Sequence, residues 1–527
     1  MTVQPTMLRP ATRRPAWQTV LGLVLALPAL VLLITSYVEP AVWTIRTSFR
    51  RFTGIRTLSG GDPPSAGWDN YERAYDQGLA GSFWHVLSLV AIPLLAVLVL
   101  APALAWAAHS SGRVVRWAAR GALVIPLAAF SPYGIALAAA LAERGQRWAY
   151  WSGTFGVFVA VAALVYLAAF RTNRSPWPAV IVCAGLSVLG VTAAVLQEFT
   201  YGWAFRFADQ HGPDTPATMM YERAFITLNF GTAAAIAATV LVPLLLLGAL
   251  ATAVFALTGL RLQWRPDIAG APSPRRGAAR PVAVVLLVLV LAAALAGLWP
   301  WLSHLGQQGR PDAPSTWVNT WIPPLVSTLV GVSAAALAAF GISGLRPLGR
   351  HSEWLLMPFG LFLFVGGMPL VLRAYAAGAT AARLDSFAAL VPPSRLAIPA
   401  LFAFALLFRG QAMRREALLQ EGRPASWWPV LVPGLPMAGL LCLGTWLVQA
   451  QDVLWPLVTS TSNYPTAQLE MVRVLQVGDT EHLPYGALLP IPMLVFFLLA
   501  GVAAQLFLAD KAALQVGPPE RDHPPRT

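Results

Sequence analysis

The residues able to do chemistry are few and widely spaced in this chain. Its seven histidines, His85, His109, His211, His304, His351, His482 and His523, include no i, i+4 pair, so none reads as half of a zinc site. Cys183 and Cys442 both lie in apolar stretches, where thiols behave as small hydrophobes, and they support neither a disulfide framework nor a metal cluster. Lys511 is the only lysine, which excludes a GxxxxGK[ST] phosphate loop and a Schiff-base lysine, and no GxSxG elbow occurs. The expectation is a chain that is not an enzyme, binds no metal or cofactor and hydrolyses no ATP itself. What remains is two clusters at the ends of apolar runs: Gln197, Glu198, Tyr201 and Trp203, then Gln449, Gln451, Asp452 and Trp455. A carboxylate or amide in such a run is costly and therefore a functional candidate. Aromatic faces stack on sugar rings while carboxylates and amides bind hydroxyls in pairs, so both clusters are candidate substrate-path contacts for a neutral oligosaccharide. The competing reading is interfacial, with the aromatics in the headgroup belt and the acids solvated at helix ends.

The elements that must position these clusters follow from composition. Of 527 residues 57% are hydrophobic and 11% charged, with a mean hydropathy of +0.62. Soluble domains carry about a quarter charged residues, so the chain reads as an all-α polytopic membrane protein. At roughly 20 apolar residues per crossing the stock suffices for about a dozen helices. Reading from charge to charge gives twelve windows: 15–38, 77–112, 121–142, 148–170, 175–197, 224–260, 281–309, 313–345, 354–372, 386–408, 424–451 and 482–509, the tenth interrupted by Arg395. The net charge of +13 does not point to nucleic acid, because the basic residues sit in short runs between apolar blocks. Placing both termini in the cytoplasm puts 22 of the 36 basic residues inside, among them Arg113, Arg116, Arg120, Arg171, Arg346 and Arg409. The apolar run of the first window is too long for an ordinary secretion signal and is expected to be a retained helix.

The stretch 261–280, RLQWRPDIAGAPSPRRGAAR, is rich in arginine and proline and leaves six windows on either side. It reads as a cytoplasmic linker between a first half, 1–260, and a second, 281–511, with a cytoplasmic tail at 512–527. A weak internal repeat supports the division. Gln197 and Trp203 recur as Gln449 and Trp455, and Phe230-Gly231 as Tyr485-Gly486, each opening the sixth window of its half.

Several short motifs then resemble one family. Tyr37-Val38-Glu39-Pro40, Thr47-Ser48-Phe49, Gly67-Trp68-Asp69-Asn70-Tyr71, His211-Gly212-Pro213 and Asn229-Phe230-Gly231 are similar, in order and spacing, to the permease subunits of carbohydrate-type (maltose-type) ABC importers. In the second half Leu454-Trp455-Pro456-Leu457, with Gln451-Asp452 before it, and Pro490, Pro492, Gln505 and Lys511 resemble the partner permease of the same importers. The resemblance implies two permeases fused in one chain. That family couples to its ATPases through a cytoplasmic E-A-A-x-x-x-G helix-turn motif, and the segment 414–436 resembles it, with Arg415, Glu416, Ala417, Glu421 and Gly422 in the matching places. Leu418 replaces the second alanine, Glu421 the usual aspartate, and one residue is inserted if Pro436 is the family's proline. A short helix there, ended by Gly422, could sit in a cleft on a partner. The first half departs from the pattern: 170–178 reads FRTNRSPWP, with no Glu-Ala pair. Coupling is then one-sided, or made through a degenerate contact, or served by an asymmetric ATPase pair.

The resemblance implies a permease moving a sugar, oligosaccharide or related polar solute across a bacterial cytoplasmic membrane. Its partners would be two ABC ATPase subunits, alike or different, an extracytoplasmic solute-binding protein or lipoprotein, and the lipid bilayer. Two other readings compete. An ion-coupled secondary transporter requires midplane acids, for which Glu198 and Asp452 are the candidates. A polytopic glycosyltransferase using a lipid-linked sugar would use Asp62 and Asp69 of the first outer loop.

Overall fold

The computed structural model describes residues 16–52, 63–171, 175–208, 213–264, 277–307, 314–381, 383–460 and 463–517. Asp62, His211-Gly212, most of the expected linker and the tail past 517 lie outside the described residues. Long apolar runs have no water to satisfy their backbone amides and so close into helices. Among the described residues nine helices are long and apolar enough to cross a membrane, or ten if one bent pair counts as a crossing. The chain is thus an all-α polytopic membrane protein.

In the first half α1 is Ala16–Ser48, α2 Asp69–Asp76 and α3 Leu79–Ser110. The third window is the bent pair, α4 Arg113–Ala128 and α5 Pro132–Leu141, meeting at 67°. The break has a local cause: Ser131 is extended and Pro132 can start a helix but not continue one. After α6, Gln146–Ala169, the span Trp177–Phe207 is interrupted in its last third into α7, Trp177–Leu196, and α8, Thr200–Phe207. α9, Pro216–Tyr221, and α10, Phe230–Thr258, complete the half. A strand β1, Arg261–Trp264, follows.

The second half opens with α11, Ala279–Leu302, and α12, Ser315–Gly344. Its third window, 354–372, forms no long helix. It is a 3-10 turn at Gly349–Leu356, then α13, Met357–Gly360, an irregular stretch through Gly366-Gly367 and Pro369, and α14, Val371–Thr380. The tenth window is also shortened, because Pro392, Pro393 and Pro399 delay the helix; α15 runs Ile398–Gln420 and carries Arg409, Arg414, Arg415 and Glu416 in its second half. α16, Trp428–Ala450, leads to α17, Leu454–Thr459, and α18, Ala467–Gln476. α19, Ile491–Lys511, ends the bundle and feeds β2, Ala512–Gln515.

The halves exchange their first helices. α1 packs along α12 of the second half, and Gly22 and Gly341 bring the two backbones together: a Cβ built on Gly341 would stand 2.4 Å from the Gly22 carbonyl oxygen. α11 packs along α3 and α6 of the first half, where a Cβ on Gly297 would stand 2.0 Å from the Ser152 carbonyl oxygen. The expected linker and tail do not run free at their starts. β1 and β2 pair antiparallel, Arg261 opposite Gln515 and Trp264 opposite Ala512, with Arg261 Nη2 donating to Gln515 Oε1 at 3.2 Å.

Both halves also close one end of the bundle with buried ions. Asp510 takes Arg116 Nε at 3.0 Å and Arg120 Nε at 3.6 Å, pairs with Arg171, and accepts from the Trp117 indole at 3.0 Å. In the second half Glu353 takes Arg409 Nε at 3.2 Å and Arg346 Nη2 at 3.7 Å. Arg409 Nη1 further donates to Phe255 and Leu260 carbonyls and Gln411 Nε2 to that of Trp264, which ties α15 to the end of α10 and to β1.

Candidate functional site

α7 and α16 end alike. Leu196 and Ala450 are their last residues, Gln197 and Gln451 cap them, and Glu198 and Asp452 follow. Each carboxylate then folds back onto the next short helix. Glu198 Oε1 accepts from the Tyr201 amide at 2.6 Å and Oε2 from that of Gly202 at 3.2 Å, while Asp452 Oδ1 accepts from the Leu454 amide at 3.2 Å. The acids thus hold the first turns of α8 and α17, the place where free amides attract negative charge. Burial raises the carboxyl of Asp452, just beyond the span that ends at Ala450, and the neighbouring amides oppose that shift.

This overturns the expected repeat register. The equivalent pairs are Gln197 with Gln451 and Glu198 with Asp452, two residues away from the expected match of Gln197 to Gln449 and Trp203 to Trp455. A turn is equivalent by its backbone, and here the single-letter identities fall two residues away from it. The match of Phe230-Gly231 to Tyr485-Gly486 holds. Gly231 N donates to Phe52 O at 3.3 Å and Gly486 N to Gln307 O at 2.9 Å, so each glycine receives the chain just past the first helix of its half.

The two glutamines reach across the halves. Gln197 Oε1 accepts from the Gly366 amide at 2.6 Å and its Nε2 donates to the Phe364 carbonyl at 2.8 Å, both in the broken ninth window. Gln451 Oε1 accepts from Ser131 Oγ at 2.7 Å, in the break between α4 and α5. Its Nε2 donates to Leu488 O at 2.9 Å. Backbone freed in the ninth window is therefore steadied by an amide of the first half, and the Ser131 hydroxyl at the other break is held by an amide of the second. The reciprocal arrangement encloses a cavity of about 360 Å³, into which both breaks and both acids face: Phe130, Gly366, Gly367, Glu198 and Asp452 line it, with Gln197, Tyr150, Thr154 and Tyr201.

Of the eight expected substrate-path residues, Gln197, Glu198, Tyr201 and Asp452 meet on this cavity. Tyr201 is buried edge-on to Tyr150, with centroids 5.2 Å apart. Gln451 stands behind the wall. Gln449, which accepts from Thr328 Oγ1 at 3.2 Å, and Trp455, whose indole donates to Ala389 O at 2.9 Å, border a crevice of only about 10 Å³. Trp203 lies on the opposite face of α8 in a separate pocket. Sequence reasoning missed Tyr150, Thr154 and the two breaks. The Ser131-Pro132 and Gly366-Gly367 steps inside apolar windows were the available signal.

The expected coupling segment is no separate short helix but the free end of α15. Gln420 is its last helical residue and Glu421 its cap, and Gly422 sits at φ +75°, where its amide and that of Arg423 close on Leu419 and Leu418 carbonyls. Glu421 and Gly422 are exposed, and Ala417 is partly so. Glu416 accepts from Arg346 Nη1 at 3.1 Å, and the Arg415 guanidinium lies 3.9 Å over the Trp427 ring. In the first half Arg171 is drawn into the Asp510 cluster. Asp69, offered to the glycosyltransferase reading, is exposed and paired with Arg51 at 2.9 Å. Among the described residues no group of His, Cys, Asp or Glu could hold a metal ion. Comparison with protein-family models, curated proteins and solved structures finds no match to the chain.

Proposed function

We propose that the chain is the transmembrane permease component of a binding-protein-dependent ABC importer, two permeases fused in one chain, moving a sugar, oligosaccharide or related polar solute across a bacterial cytoplasmic membrane. In this reading the nine spans, the bent pair α4–α5, the broken segment α13–α14 and the charged helix α15 make twelve passes, six in each half, with both termini cytoplasmic. Separate ATPase subunits dock on the end of α15 around Glu416 to Gly422, and a solute-binding protein delivers to the opposite face. The observation that carries the reading is a cavity between the halves, bordered by a broken helix and a carboxylate from each, with Gln197 and Gln451 bonded to the opposite half's break. Paired half-structures around a shared cavity with interrupted helices suit alternating access. The test is purification from native membranes. Recovery of a P-loop ATPase with the chain, and ATP-dependent uptake by the complex in proteoliposomes, is the expected result.

One observation favours a second reading, an ion-coupled secondary transporter: a buried Glu198 and a half-buried Asp452 line one cavity. Uptake by the chain alone, driven by an ion gradient and lost in Glu198→Gln, would replace the first reading with this one.

A further inference from the structure

The second half's share of the central cavity wall comes from the starts of two segments. Gly366, Gly367 and Met368 lead into α14, and Asp452 and Leu454 open α17. The two segments are tied at their other ends. Past α14 the Asp385 amide donates to the Thr459 carbonyl, the last residue of α17, at 2.7 Å, and the Asp385 carboxylate accepts from Asn463 Nδ2 at 2.7 Å. α14 and α17 therefore form one unit.

This unit stands on fixed feet. α13 is wedged on α10, where a Cβ on Gly248 would stand 2.3 Å from the Gly360 carbonyl oxygen, and Gly366 is held by Gln197. Gln451 is held by Ser131. Freedom begins one residue beyond each foot, at Gly367, where a Cβ would meet nothing within 4 Å, and at Asp452. From there α14 meets the first half through side chains. Thr44 Oγ1 donates to the Pro369 carbonyl at 3.1 Å, and Arg373 Nε donates to Glu39 Oε1 at 2.6 Å with its guanidinium 5.9 Å from the Trp43 ring centroid. Tyr375 packs on Phe225 and Phe230, with centroids 5.0 Å and 6.1 Å away.

The two ends of the bundle differ in how they can part. α1 starts beside the buried ions, where Thr19 Oγ1 donates to the Pro347 carbonyl at 3.4 Å next to Arg346, and Glu39 lies roughly 30 Å further along that helix. At this far end the Arg373 and Glu39 side chains are 33% and 46% exposed, so water takes over both charges when they separate. At the near end Arg116, Arg120, Arg171 and Asp510 are at most 3% exposed, and parting them would strand buried charge. The far end is the one that opens.

We infer that α14 and α17 are a flap that closes the central cavity, hinged just after Gly366 and Gln451 and latched to the first half by Arg373 on Glu39 and by Tyr375 on Phe225 and Phe230. Its use by a solute rests on the proposed function, under either driving force. The flap itself does not.

The test is the rate at which Met368→Cys, in a Cys183→Ala/Cys442→Ala background, reacts with a membrane-impermeant trimethylammonium methanethiosulfonate on the full chain in nanodiscs. Met368 lines the cavity and is 2% exposed, so its reaction reads flap opening and needs neither an ATPase nor a solute. Arg373→Gln and Tyr375→Ala should each speed the reaction about two- to fivefold, the range that an exposed pair or one ring contact supports. The reversed pair Glu39→Arg with Arg373→Glu should return it towards the original rate. Arg51→Gln, which breaks the exposed pair with Asp69 near the same end of α1, should leave it unchanged. Unchanged rates in the Arg373 and Tyr375 variants overturn the inference. So does an acceleration that Arg51→Gln matches or that the reversed pair leaves standing, because the whole end would then be loosened. Equal elution volume and melting of the variants show that folding is not what is read.

Discussion

Replacing Gln197 by leucine keeps most of the side-chain volume and removes its bonds to the Gly366 amide and to the Phe364 and Ala193 carbonyls. Leaving a buried backbone group without a partner costs about 1–3 kcal/mol, and less for these partly buried ones. Gln197→Leu should therefore lower the melting temperature in detergent and cut solute uptake at least tenfold, and Gln451→Leu should do the same through Ser131 and Leu488. Gly366→Ala tests the contact from the other side, since its Cβ would stand 2.8 Å from Gln197 Oε1. Its cost should shrink in a Gln197→Ala background, and equal costs in both backgrounds would show that no clamp exists. At this scale the sequence was partly legible. Glu198 and Asp452 stood out as acids in apolar runs, yet their carboxylates turn out to accept from the first amides of α8 and α17, backbone that carries no letter of its own. The partners of the glutamines lie in the opposite half, at sequence distances no local pattern reaches.

At the scale of elements, the free end of α15 carries the clearest prediction. A Cβ built on Gly422 would meet nothing within 4 Å, so the constraint on a side chain there is the left-handed backbone. Gly422→Ala should cost about 1–2 kcal/mol locally, and the double change Glu416→Ala with Gly422→Pro should abolish solute-stimulated ATP hydrolysis in the complex. Unchanged stimulation would move ATPase docking elsewhere on the chain. Most helices were legible because hydropathy alone dictates them: ten of the twelve windows contain the spans, counting the bent pair. The ninth failed because its helix is broken, and the tenth because prolines delay α15, an unbroken helix of 23 residues whose later half is charged. Window averages do not register Gly366-Gly367, Pro369, Pro392 or Pro393, and a broken helix is stable within an apolar bundle only when another segment serves its backbone, as Gln197 does here. β1 was read as linker because four residues of alternating burial are too short a signal beside the prolines that follow.

For the whole molecule, the exchange of α1 and α11 makes each half incomplete alone. The ion clusters reinforce this: Asp510, at the end of the second half, serves Arg116, Arg120 and Arg171 of the first, and Asp510→Asn should destabilise the chain by roughly 3–5 kcal/mol, seen as a lower melting temperature. The exchange also predicts how the chain tolerates cutting. Cleaved within 265–276, between β1 and α11, the pieces still share the α1–α12 face, the α11–α6 face and the β1–β2 ribbon. Co-expressed pieces should therefore assemble and purify together through a tag on either one, whereas each expressed alone should be degraded. Gly297→Val is the control that locates the interaction. Its side chain has no room against the Ser152 carbonyl, so α11 would be pushed from α6, and recovery of the untagged piece should fall at least tenfold while the β1–β2 pairing is untouched. If the Gly297→Val pieces assemble as well as the original ones, the ribbon and not the exchanged helices holds the halves together, and the interlocked architecture must be abandoned.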